Sequence, residues 1–528
     1  MKKLLNKLLL TPDFNNLFKS FPYILLICLP ILIYLGERSF ISYDEGYYAL
    51  QGKWVLEYNN WLTPQWFDQL QFDRPPLLPV LIAISYKLFG VGHFSAHLPT
   101  LISSIVVLYF TYKVHALILG KNFQWLSPLI LITTYLWINY THQATQDIIL
   151  VSTEMFGIYF LIKSSKDSKN YVYILSTIWL GLCFFIKTYM VAIPIIAISP
   201  YLFIYKRFLL KKNYFYVGIL IGFIPFILWS IFCFNEYGFT FFEGINNKLI
   251  SLSKNNTFSQ PFYYYLWNFP ISFLPWTPFC AYGIHAAVKK LSLKQNYLII
   301  FYPFFIICLL SLFETKIPYY SLQAFPLLSI ATSYGLMQFC ENLNYKKIKA
   351  IKNTNLIILS ALFVTLIYIL TNKGIFINGN LKFLILLISL LFLILPLFFL
   401  NLSSKRSFYI FAFLIGPYLA TSLFVQSGLL SDRSPDIKFA INNINNSILN
   451  NKFQTVVFIP SSMNGNELSE LIKINLYTTQ KIIRIADINK LQSEQNIWMK
   501  INDINELKDF EVTYKDNRIS NWVLVKRK

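Results

Sequence analysis

The stretch YFYVGILIGFIPFILWSIFC, residues 214–233, runs for twenty residues without a charged side chain. As an α-helix it would measure about 30 Å, the thickness of a bilayer's hydrocarbon core. A surface helix of a soluble protein would carry a polar face, and this stretch has none. Apolar runs of similar length recur on both sides of it, from residue 21 to residue 426. The 528-residue chain is 55% hydrophobic and 13% charged. Soluble proteins carry roughly 25% charged residues, so a large soluble helical protein is excluded.

Counting outward gives about thirteen expected spans: 21–35, 99–118, 124–140, 147–163, 171–187, 188–205, 214–233, 266–286, 296–313, 318–338, 355–371, 381–400 and 408–426. The apolar run 76–90 is too short to cross and reads as interfacial or re-entrant. Glu37-Arg38 follows the first run where a cleaved leader would have small residues, so an uncleaved first span is expected. With the N-terminus inside, the inside loops carry Lys113 and Lys121, then Lys163, Lys166 and Lys169, then Lys206, Arg207, Lys211 and Lys212. The pattern continues through Lys405 and Arg406, as the positive-inside rule requires. The net charge of +21 is therefore a topology signal and not a nucleic-acid groove. The six Cys lie in or at the ends of apolar runs, without metal-ligand spacing.

Beyond residue 426 the composition changes. Residues 427–528 hold fourteen basic and eleven acidic side chains and no long apolar run. Ser434-Pro435 opens a helix with Ile437, Ala440, Ile441, Ile444 and Ile448 at a 3.6-residue period. Strand-like runs follow at 455–459, 482–485, 497–501, 510–514 and 522–525, with a helical stretch near 467–475. The expected division is a transmembrane part, 1–426, whose external loop 36–98 carries the chemistry, and a soluble external α/β domain, 427–528.

Charges at span ends are costly near lipid and need a reason. Asp44, Glu45, Asp73 and Arg74 in the first outside loop, Asp147, Lys187, Glu314 and Lys316 all fall on one face. Only Glu154 lies deeper, whereas a transporter would gather charges near the midplane. A carboxylate can take the proton of an acceptor hydroxyl, and Lys or Arg can hold a phosphate leaving group. No Gly-rich phosphate cradle is present, so a lipid-linked donor is expected over a nucleotide sugar. Blander readings stand beside these: Asp44 as a helix cap, Asp147 as an N-terminal helix charge, the lysines as snorkelling residues. His93 and His97 are spaced i, i+4 but lack a matching acid, so no metal is expected.

The motifs resemble the GT-C membrane glycosyltransferases, among them the protein O-mannosyltransferases and the bacterial lipid A aminoarabinose transferases. Asp44-Glu45-Gly46-Tyr47-Tyr48-Ala49 resembles the D-E-x-x-Y-A that opens their first outside loop. Trp61-Leu62-Thr63-Pro64 and Phe72-Asp73-Arg74-Pro75-Pro76-Leu77-Leu78 resemble the W-x-T-P and F-E-K-P-P-L-L that follow. Gln146-Asp147 resembles a second acidic site, Gly181–Lys187 a G-L-A-F-L-T-K, and Lys316-Ile317-Pro318-Tyr319-Tyr320 a K-x-P-x-Y. The likeness covers roughly residues 20–330. It departs at Arg74 for Lys, at His97-Leu98-Pro99 for Arg-Leu-Pro, and at Thr188-Tyr189 for Gly-Pro.

The resemblance implies a polytopic helical GT-C architecture in the bacterial inner membrane, N-terminus cytoplasmic and C-terminal domain periplasmic. It implies inverting transfer of a sugar from a polyprenyl-phosphate donor to an envelope lipid, glycan or protein. Asp44, Asp147 and Glu45 are the expected catalytic residues. Arg74, Lys187, Lys316, Tyr48, Asp73 and Tyr320 are the expected substrate-binding residues. No cofactor, metal or nucleic-acid partner is expected, and the chain is expected to be a monomer. The rival readings are a lipid-linked oligosaccharide flippase or other transporter, and an O-antigen ligase-type enzyme.

Overall fold

The computed structural model describes residues 17–66, 69–72, 74–244, 246–247, 259–371, 380–402, 405–428, 434–447, 455–458, 464–478, 482–485, 496–501 and 510–527. Helices dominate the described chain up to residue 426, with one short antiparallel pair, Gln65–Trp66 and Gln69–Leu70, in the first loop. Six are long and apolar enough to cross a membrane: His93–Ile118, Asn170–Tyr205, Asn213–Tyr237, Leu293–Leu312, Tyr345–Thr365 and Arg406–Gln426. A bent pair, Tyr135–Thr141 and Gln146–Lys163, meets at 109° and adds a seventh if taken as one span.

The run Asn170–Tyr205 is two passes. Its 36 residues would stretch about 54 Å as one helix, far beyond a bilayer core of about 30 Å. Helix Gln146–Lys163 lies beside it and acts as a ruler. Tyr171 packs near Lys163 at the ruler's end, and Lys187 reaches Asp147 at its start, 2.6 Å away. Lys206 is back at the end, donating to the carbonyl of Ile162 at 3.0 Å. The chain therefore reverses at the 3-10 turn Thr188–Val191, where Thr188 has φ 39° and ψ −110°. This is the hairpin expected at Lys187.

Other expected spans are interrupted, which is why fewer unbroken helices pass than apolar runs were counted. The run 266–286 is Tyr264–Ser272 followed by Thr277–Lys290, with Pro275 in the break. The run 318–338 opens as the 3-10 turn Pro318–Ala324 before helix Phe325–Glu341. The short run 76–90 is helix Leu77–Phe89, packed on helix Glu45–Tyr58.

Small residues let the spans touch backbone to backbone. A Cβ added to Gly181 would lie 2.1 Å from the carbonyl carbon of Gly222. Helices Ile178–Lys187 and Asn213–Tyr237 cross there, which fixes the end that presents Lys187.

The C-terminal part holds a five-stranded mixed sheet in the order Ile482–Ile485, Thr455–Phe458, Asn496–Lys500, Trp522–Arg527, Phe510–Tyr514. The first three strands run parallel, and Trp522–Arg527 is antiparallel to both its neighbours. The strand positions agree with those read from the sequence to within a residue or two. Helix Pro435–Ser447 buries Ala440, Ile441 and Ile444, the face expected from its periodicity. Helix Gly465–Tyr477 opens with a capping box between Asn464 and Glu467.

Helix Gly465–Tyr477 docks on helix Glu45–Tyr58 of the first loop. The Lys53 ammonium donates to the carbonyls of Asn475 (2.8 Å) and Thr478 (2.9 Å), orphan acceptors at the docked helix's C-terminus. Burial lowers the Lys53 pKa, and nearby Glu57 partly offsets this. The Phe40 amide donates to the Tyr477 hydroxyl at 2.8 Å, and Ser42 meets Ser469.

Candidate active site

Asp44 stands just ahead of helix Glu45–Tyr58 with φ 58° and ψ −80°, and its side chain makes no capping hydrogen bond. The bland reading of Asp44 as a helix cap is thereby removed. Its Oδ2 accepts instead from the Tyr319 hydroxyl at 3.2 Å. The Lys187 ammonium lies over the rings of Tyr319 and Tyr320, 5.3 and 4.8 Å from their centroids, and pairs with Asp147 at 2.6 Å. Asp44, Tyr319, Lys187 and Asp147 thus form a continuous chain, although up to 275 residues separate the contacting members in sequence.

Tyr48, one helical turn after Asp44, joins the second cation. Its hydroxyl donates to Gln146 Oε1 at 3.1 Å and accepts from the Arg74 guanidinium. That guanidinium lies over the rings of Tyr47 and Tyr48, 5.8 and 5.5 Å from their centroids, and Tyr47 stacks on Trp66. Burial pushes the Tyr48 pKa up to about 12. Arg74 and Lys187 pull it down while Asp44 and Asp147 push it up, so all four charges act on this one hydroxyl. Two acids and two cations therefore meet at one end of the bundle, the end where the 170–205 hairpin turns.

Two expected residues stand elsewhere, Glu45 and Lys316. Glu45 is fully buried and faces Arg38 and His97, not the Asp44 cluster. The structure does not bring it to the Asp44 cluster, and its oxygens already accept from Arg38, His97 and the amides of Ile41 and Ala144. Burial alone would raise its pKa, but the charges of Arg38 and His97 and their hydrogen bonds hold it well below the usual carboxylate range. Lys316 is likewise not brought to the cluster: its buried ammonium donates to the carbonyls of Gln260 (2.8 Å) and Phe313. The tight turn it sits on needs those acceptors satisfied. Asp73 lies outside the described residues. Glu154 keeps away from the cluster, accepting from Tyr302 deep in the bundle.

Sequence reading missed Tyr319, Arg38 and His97 as participants. Tyr319 sits inside the quoted Lys316–Tyr320 motif, so a signal existed. His97 was noticed as half of a histidine pair and as a departure from the family's Arg-Leu-Pro, and nothing in the chain announced its contact with Glu45, 52 residues away. Among the described residues, no three His, Cys, Asp or Glu side chains converge as a metal site.

The sequence model of the dolichyl-phosphate-mannose-protein mannosyltransferase family matches residues 73–232. That segment holds Arg74, Asp147 and Lys187 and begins after Asp44. An uncharacterized protein of Aquifex aeolicus is 24% identical over 350 residues, 64% of this chain and 68% of that one. The undecaprenyl phosphate-alpha-4-amino-4-deoxy-L-arabinose arabinosyl transferase of Wigglesworthia glossinidia brevipalpis is 27% identical over 367 residues, 67% of this chain and 65% of that one. The crystal structure of ArnT from Cupriavidus metallidurans bound to undecaprenyl phosphate superposes with a TM-score of 0.74 at 15% identity, covering 97% of this chain and 98% of that one. Its apo state matches equally well, at 0.74 and 14% identity. Fold and sequence pattern agree with the motif reading: the chain is a multi-pass membrane protein with the fold of ArnT, and its residues 73–232 are similar to the dolichyl-phosphate-mannose-protein mannosyltransferases.

Proposed function

We propose that this chain transfers a sugar from a polyprenyl-phosphate carrier to an acceptor hydroxyl or phosphate, with inversion at the anomeric carbon. The observation that carries the reading is the meeting of Asp44 and Asp147 with Arg74 and Lys187 around Tyr48. For a hydroxyl acceptor, Asp44 takes its proton as the oxygen attacks the anomeric carbon. The new carbon–oxygen bond forms on one face while the bond to the phosphate oxygen breaks on the other. The electron pair leaves on the phosphate, where Arg74 and Lys187 stabilise the growing charge. Asp147 holds Lys187 in place and orients donor or acceptor. Tyr320 and Tyr319 wall the site beside the Lys187 ammonium.

The site works on the periplasmic face of the inner membrane in this reading, with a cytoplasmic N-terminus. Lys163, Lys206 and Arg207 support it, since they gather at the bundle end opposite Lys187. The acceptor is lipid A, another envelope glycolipid or glycan, or a protein. The reading needs no metal or cofactor beyond the donor lipid, and the chain acts as a monomer.

The test pairs mass spectrometry of envelope lipids and glycans, with and without the chain, with an assay of the purified protein on undecaprenyl-phosphate sugars. A sugar-bearing product that disappears with Asp44→Asn supports the proposal. Envelope molecules unchanged by loss of the chain, together with no turnover, would remove it.

A further inference from the structure

Glu45 follows Asp44 in the chain, yet its side chain serves a different set of partners. Oε2 accepts from the Ile41 amide at 2.9 Å and from Arg38 Nη1 at 3.1 Å. Oε1 accepts from the Ala144 amide at 3.2 Å, and it also meets Arg38 Nη2 and His97 Nε2. Ala144 lies three residues ahead of Asp147. One carboxylate therefore ties together the loop that leads into Asp44, the start of helix His93–Ile118, and the bend ahead of Gln146–Lys163. The first and last of these carry the two acids of the site.

The backbone at Asp44 needs such a tie. Its φ of 58° and ψ of −80° lie near a γ-turn geometry that side-chain-bearing residues seldom adopt. Holding it requires surroundings that leave no alternative. The Gly46 amide closes the turn on the Ile41 carbonyl at 2.8 Å, and Glu45 holds the Ile41 amide from the other side. A reacting group displaced by about 1 Å can lose about a hundredfold in rate, so such a tie has catalytic consequences.

We propose that the buried Arg38–Glu45–His97 cluster is the positioning element of this site: it fixes the backbone at Asp44 and the spacing from Asp44 to Asp147. It touches no substrate. The kinetic half of this inference rests on the glycosyl transfer proposed above; the structural half does not.

The experiment is Glu45→Gln, which keeps the volume and one acceptor oxygen, read in two ways on the full-length protein. Hydrogen–deuterium exchange of the peptide spanning 41–48 is expected to quicken about tenfold or more, with helix Asn213–Tyr237 unchanged. In the transfer assay kcat is expected to fall about 30- to 100-fold while the donor KM stays within about threefold, because Arg74 and Lys187 are untouched. His97→Gln, which keeps a donor, is expected to recover most of the exchange protection. Unchanged exchange, or kcat within about threefold of the parent, overturns the proposal. So does a fall to the Asp44→Asn level with unchanged exchange, which would make Glu45 itself catalytic. If Glu45→Gln does not fold, Arg38→Lys keeps the charge, loses the planar fork and carries the same two readouts. If the parent protein transfers no sugar from any polyprenyl-phosphate donor, the functional reading fails and the exchange result alone decides the positioning role.

Discussion

At Asp44 the carboxylate is not spent on capping the helix behind it and accepts a hydrogen bond from Tyr319. Asp44→Asn removes the base while keeping shape, and kcat should drop by about 10²–10⁴ in the transfer assay. Tyr319→Phe removes one hydrogen bond to that carboxylate, worth about 1.5–3 kcal/mol, so a loss of roughly tenfold or more is expected. Lys187 and Asp147 form a largely buried pair. Lys187→Met leaves Asp147 without it, which should cost about 3–5 kcal/mol of stability. The double change Lys187→Met with Asp147→Asn should recover much of the melting temperature and none of the donor affinity. Recovery of both would deny Lys187 a part in phosphate binding. Asp44, Arg74, Asp147 and Lys187 were legible in the sequence because they are charges at apolar-run ends within quoted motifs. Glu45 and Lys316 were legible as charges too, but their partners were not. Whether a carboxylate faces the site or a buried arginine is settled by contacts across 7 and 52 residues that no local pattern records.

Among the elements, helices Glu45–Tyr58 and Gly465–Tyr477 meet where side chains are smallest. A Cβ on Gly46 would sit 2.9 Å from the Ile41 carbonyl oxygen and 3.0 Å from Ile472 Cγ2. Gly46→Val should therefore lower stability by about 1–3 kcal/mol by overpacking. Because Gly46 also closes the turn that holds Asp44, turnover should fall with it, and a melting scan beside the assay reads both effects. Helix existence in this chain was legible from run length alone. Helix continuity was not: the breaks near Pro275 and at Pro318–Ala324 follow from proline and turn geometry within runs that stay apolar throughout. The reversal at Thr188 was legible from the Lys187 charge in the middle of a 36-residue apolar stretch, since an ammonium there must reach the membrane's rim.

For the whole molecule, one arrangement underlies the account: residues from four separate stretches bring two acids and two cations to one end of an ArnT-like helical bundle, braced by a helix of the C-terminal part. Composition and run length made the membrane class plain, and the alternation of lysine-rich loops supplied the expected orientation. The convergence itself was carried by motif likeness, because charges 30 to 143 residues apart have no spacing to read. The most direct measurement is binding of undecaprenyl phosphate to the purified chain by native mass spectrometry, which needs neither the sugar nor the acceptor. The parent protein and Asp44→Asn should bind alike, while Arg74→Met and Lys187→Met should each weaken binding about tenfold or more, the loss of one charge-assisted phosphate contact. Undiminished binding by both cation variants would mean that the phosphate is held elsewhere, and the site would have to be redrawn.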